Sequence, residues 1–127
     1  MSSSEATTDG IRVRVDSQFS PEHSDPEQWF FLYTIRISNE GSETVQLLSR
    51  HWIIRDATGR IEEVKGPGVV GEQPVIEPGD SFEYTSGCPL PTPFGSMEGS
   101  YEMVTQGGIR FDAEIAQFQL REASAIH

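Results

Sequence analysis

Over residues 29–37 every second residue is large and apolar. Trp29, Phe31, Tyr33, Ile35 and Ile37 fall on one face of an extended chain, while Thr34, Arg36 and Ser38 fall on the other. A period of two specifies a long strand with one wall against a core. The same alternation recurs at Ile11, Val13 and Val15 between Arg12 and Arg14. Residues 20–28, with two prolines and three acids, read as a loop. After the turn residues Asn39-Glu40-Gly41-Ser42 the chain returns as a β-rich segment over 44–55. There the parity slips, because Val45 and Leu47 mark one face and Trp52 and Ile54 the other. A bulge within residues 48–50 reconciles them. Asp56-Ala57-Thr58-Gly59 makes a tight turn into a short polar edge strand over 60–65. Between residues 66 and 99, thirteen of 34 residues are Gly or Pro, so this part is expected to be mostly loop around one strand, 81–86. Residues 100–105 and 109–120 form a hairpin about Gln106-Gly107-Gly108, with Tyr101, Met103, Phe111, Ala113 and Ile115 inward. No run of ten residues keeps a helical period without an interrupting Pro or Gly.

About seven strands without intervening helices predict an all-β, antiparallel sandwich of immunoglobulin or fibronectin type III-like architecture, with a closed barrel as the alternative. Residues 1–10 are expected as a flexible lead-in and 11–127 as one domain. Trp52 or Trp29 is placed to serve as the core tryptophan.

Nine Lys and Arg against twenty Asp and Glu leave a net charge of −11. That charge speaks against a nucleic-acid backbone or an anionic membrane as partner, and permits basic protein partners or divalent cations. Cys88 is the only cysteine, so no internal disulfide forms, and a cytoplasmic location is expected. No apolar run is long enough to span a membrane.

Residues 66–71, Gly66-Pro67-Gly68-Val69-Val70-Gly71, match GxGxxG. A dinucleotide site requires a helix opening at the third glycine. Pro74 and Pro78 forbid one, so a Rossmann site is rejected. Two readings remain: a packed turn whose glycines take φ values closed to other residues, or an anion nest of consecutive N–H groups. Glu72 and Glu77 weigh toward the packed turn. Nucleophilic chemistry lacks a motif. There is no GxSxG elbow, and Cys88 sits in a turn with nothing in the sequence pairing it to His51. His23, His51 and His127 show no ligand spacing, and Glu62-Glu63 would point to opposite faces of a strand, so no metal site is assigned. Loops on a rigid sandwich suit recognition without catalysis. The candidate contact residues are Val69 and Val70 in the glycine loop and Pro91, Pro93 and Phe94 in the second proline-rich loop, whose alternative role is shaping the end of the sandwich.

The segment GPGVVGEQPVIEPG at 66–79 resembles the signature of the ApaG (CorD) family. Also similar are YTIRISNEG at 33–41, VQLLSRHWIIRDATGR at 45–60, YTSGCPLPTPFGSMEGSYEM at 84–103 and the closing Ala125-Ile126-His127. The resemblance covers nearly all of the chain after residue 10. It implies an immunoglobulin/fibronectin-like sandwich, no established enzymatic activity, no cofactor, and a link to cobalt resistance and magnesium efflux. It further implies a domain that mediates protein–protein contacts in eukaryotic relatives. A pyrophosphate site is implied at Gly66, Gly68 and Gly71. Together these readings predict a non-enzymatic binding module for an unidentified protein partner. The alternatives are a small-anion, pyrophosphate or nucleotide site on the glycine loop, and divalent-metal binding.

Overall fold

A computed structural model describes residues 2–122 of the chain; Ala125, Ile126 and His127 lie outside the described residues. Among the described residues, nine strands and one short 3-10 turn (Pro21–His23) make up the fold. They are β1 (Ser2–Thr8), β2 (Ile11–Phe19), β3 (Trp29–Asn39), β4 (Val45–Asp56), β5 (Ile61–Pro67), β6 (Val75–Ile76), β7 (Ser81–Leu90), β8 (Phe94–Thr105) and β9 (Arg110–Arg121). All pairings are antiparallel. One sheet has the order β1-β2-β3-β7; the other has the order β5-β4-β8-β9, with β6 beside β4. The two pack as a sandwich around one core.

Alternation in sequence becomes alternation in burial. Phe31, Tyr33, Ile35 and Ile37 on β3 are buried, and so are Ile11, Val13 and Val15 on β2. Trp52 is the core tryptophan. Its ring meets Tyr33, Tyr101 and Phe118 edge-on at 5.4, 6.3 and 6.0 Å. Trp29 is only half-buried against the same core.

Two expectations need correction. Residues 1–10 are not simply a flexible lead-in, since β1 pairs along β2 from Ser2↔Ser17 to Thr8↔Ile11. Its side chains also tie it to β9. The Ser4 hydroxyl donates to Ala116 O at 2.7 Å and the Glu114 N–H donates to Thr8 Oγ1 at 3.0 Å. The segment looked like tail because small polar side chains satisfy those backbone groups, leaving no apolar period to read. The stretch 66–99 is likewise more than loop around one strand. β7 runs on to Leu90, and β8 begins at Phe94. Prolines mislead here because Pro67 and Pro89 stand on outer strands, where the missing N–H faces no neighbour.

The predicted bulge lies at Leu48, between the pairs Leu47↔Met103 and Ser49↔Glu102. It reverses the facing of β4, so that Arg50 and Trp52 point between the sheets.

Candidate functional site

The two sides of the sandwich differ. On the β1/β9 side the hydrogen bonds above, with Ser17 Oγ to Gln119 O at 2.7 Å, close the seam. On the opposite side β5 and β7 end their sheets, and a cleft opens between them. It holds two cavities. The first, about 250 Å³, is walled by Tyr33, Tyr84 and Ser86 from one sheet, Arg50 and Trp52 from β4, and Val69 to Gly71 from the glycine loop. The second, about 150 Å³, is lined by Ile54, Asp56, Arg60, Glu62, Pro89, Leu90 and Pro91.

Arg50 dominates the first cavity. Its Nη1 donates to Pro67 O and Gly68 O, both at 2.9 Å. The guanidinium lies against Gly66, where an added Cβ would stand 3.1 Å from Nη1 and Nη2. Gly66 therefore makes room for a cation at the cleft mouth. Arg12, Arg14, Arg36, Arg55 and Arg110 each pair with a carboxylate. Arg50 has no such ion pair within 4.0 Å among the described residues. Facing it is a phenol cluster in which the Tyr84 and Tyr101 hydroxyls share a short hydrogen bond. Burial raises the phenol pKa values of Tyr33, Tyr84 and Tyr101, so all three stay neutral at physiological pH. The cavity thus presents one positive charge among neutral hydroxyls.

The glycine loop is a built turn. Gly68 donates to Leu48 O at 2.9 Å, the carbonyl freed by the bulge. Val69 N–H meets Glu72 O at 2.8 Å, and Glu72 N–H meets Val69 O at 2.9 Å. Gly68 (φ +61°), Val70 (φ 43°) and Gly71 (φ +80°) are left-handed, so residues 69–72 form a type I′ turn. Within residues 68–72 only Val70 and Gly71 keep amides without a backbone partner. Gly66, Gly68 and Gly71 act as Arg50's platform, a close approach to Glu72 O, and a positive-φ turn position, respectively.

The other candidate contact residues divide by exposure. Val69 is buried in the core and not available to a partner, whereas Val70 is 54% exposed at the turn tip. Pro91 lines the second cavity, and the Pro93 carbonyl accepts the Glu122 N–H. Phe94 is 45% exposed, so it does not plug the end of the sandwich. Cys88 and His51 do not meet. Cys88 is buried between the sheets, and burial pushes its thiol up to about 12. His51 instead faces Glu63 Oε1 at 2.7 Å across the β4–β5 pair. His23 hydrogen-bonds Ser20 and stacks on Phe30. Among the described residues no three His, Cys, Asp or Glu side chains gather around a common point, and no helix is long and apolar enough to cross a membrane. Sequence reading passed over Arg50. The bulge two residues before it was the available signal, since it turns the arginine inward.

A family model described as the ApaG domain matches residues 19–105. A Protein ApaG of Anaeromyxobacter sp. (strain K) is 58% identical over 117 residues, covering 92% of this chain and 94% of the relative. That of Methylorubrum populi is also 58% identical over 117 residues, covering 91% and 90%. A crystal structure of a putative ApaA protein from Bordetella pertussis superposes with a TM-score of 0.85 at 53% identity, covering 87% of this chain and 92% of that one.

Proposed function

The chain belongs to the ApaG domain family, and from that premise and the cleft we propose that it is a non-enzymatic cytoplasmic binding module whose ligand is a segment of another protein. The observation that carries this reading is the asymmetry of the sandwich: one seam is sealed by side chains, while the other leaves two outer strands flanking a cleft. Such an edge offers backbone hydrogen bonds and side-chain pockets together, which is how a sandwich recognises a peptide without catalytic groups. In this reading the link to cobalt and magnesium that the resemblance implies acts through the partner.

Photo-crosslinking amino acids at Val70 and Ser86, which line the cleft, are expected to trap a discrete protein in cells, and one at Thr34 on the outer face is not. The trapped protein, once purified, should bind the wild-type chain and lose it when Ser86→Trp fills the cavity. Equal trapping from Thr34 would remove the reading.

The second reading, a small anion, is favoured by one observation: among the described residues Arg50 has no carboxylate partner and shares its cavity with the Tyr33 and Tyr84 phenols and with Val70 and Gly71, whose amides have no backbone partner. It moves the anion from the glycine backbone to the guanidinium. Titration with pyrophosphate should then shift the Gly71 amide saturably, and Arg50→Ala should abolish the shift. Silence at millimolar pyrophosphate rejects an anion site.

A further inference from the structure

Resting on the protein-binding reading, we infer that the cleft takes an extended peptide of sequence type Lys-x-Val-x-Glu, added antiparallel to β7. The choice of β7 follows from the ladders. Glu40 N–H to Gly10 O and Ser20 N–H to Phe30 O show that even-numbered residues of β3 bond to β2. Asn39 N–H to Asp80 O shows that odd-numbered ones bond to β7. With the register Tyr33↔Ser86 and Ile35↔Tyr84, the backbone groups of Glu83, Thr85 and Gly87 therefore point away from the sheet. Those residues make no other backbone hydrogen bond among the described residues. The rival edge, β5, is lined by Glu62, Glu63 and Lys65, charges that oppose strand addition. Beside β7 the corresponding stretch, Thr85-Ser86-Gly87, is small and neutral.

The groove's charges set the peptide's pattern. At one end stands Arg50, without a carboxylate; at the other, Asp56 and Glu62 outnumber Arg60. Arg50 pairs with Gly66 and Ile54 with Glu62, so the two ends lie four residues apart along β4, about 13 Å at 3.3 Å per residue. An even spacing keeps both peptide side chains on the face that enters the cleft, with a small apolar residue between them over Val64 and Ser86. β7 runs from the Arg50 end toward the acidic end. An antiparallel peptide therefore presents its cation first and its carboxylate four positions later. Charge complementarity at both ends fixes direction as well as affinity.

The test compares a Thr-flanked Lys-Thr-Val-Thr-Glu peptide with its reversed sequence, Glu-Thr-Val-Thr-Lys, by amide NMR on the full chain. The first is expected to bind about tenfold tighter, equivalent to about 1.4 kcal/mol, with shifts concentrated on Glu83, Thr85 and Gly87. Thr85→Pro removes an outward N–H without touching a charge and should abolish binding. Arg50→Glu should exchange the preference, favouring a peptide with Lys at both charged positions. Equal affinity for the two directions, shifts centred on β5, or unchanged binding by Thr85→Pro would each overturn the inference. If cleft crosslinking succeeds while both peptides stay silent, the peptide pattern fails and the binding-module reading stands.

Discussion

Val70 stands at φ 43° although its β-branched side chain disfavours that region. It occupies the first central position of a type I′ turn whose second is Gly71, where Asn-Gly is the favoured pair. Val70→Asn is therefore expected to raise stability by about 1 kcal/mol, read as a higher urea midpoint. Gly71→Ala pays only for its positive φ, since nothing lies within 4 Å of its Cβ, and should cost about 1 kcal/mol. Gly68→Ala should cost more, because Gly68 is itself buried and its Cβ also overlaps the backbone Glu72 O. Equal losses for the two glycines would show that the loop rearranges freely. The three glycines were legible as backbone specialists; that Gly66 makes space for a guanidinium was not, because Arg50 comes from another strand.

At the scale of the element, outward and inward amides of β7 should differ. Glu83, Thr85 and Gly87 are expected to exchange hydrogen about a hundredfold or more faster than Tyr84, Ser86 and Cys88, whose amides are laddered to β3. Uniform protection along β7 would mean that this edge is covered. Strands such as β3 could be read directly because one face is buried and the other wet, which imposes the two-residue period. β1 could not, since it borrows its neighbours through serine and threonine hydroxyls. Nor could the second half of β7, where Gly87 lies beneath the Phe30 ring and Pro89 looks outward. The bulge at Leu48 was legible as a break in parity, yet its consequence was not: its carbonyl anchors both Gly68 and the Gln73 side chain.

For the whole molecule, burial links stability to alkaline pH. The Cys88 thiol rises from 9.0 to about 12, and the Tyr33, Tyr84 and Tyr101 phenols rise above 10.0. A raised folded-state value favours the protonated form in the native state. That contribution is complete below the unfolded values and is lost as pH climbs through the folded ones. Thermal midpoints should therefore hold steady up to about pH 9 and fall progressively toward pH 12, with tyrosinate absorbance appearing together with unfolding. Tyrosinate forming well before the transition would show that water reaches the cluster. In the acid range Asp56 acts in the opposite direction. The Thr58 hydroxyl and the amides of Thr58 and Arg60 hold its carboxyl below 3.8, so its contribution is lost as pH falls.

Several properties were decided by the sequence alone: an all-β sandwich, strands alternating in burial, a bulge in β4, a turn at the glycines, and a charge hostile to nucleic acid. These are local or summed properties, set by side-chain period, φ preference and charge count. Tertiary structure decided which outer strands share a side, that one seam is sealed and the other open, and that Arg50 lies unneutralised under the glycine loop. Those depend on pairings between distant segments, β3 with β7 and β4 with β8, which no local period encodes.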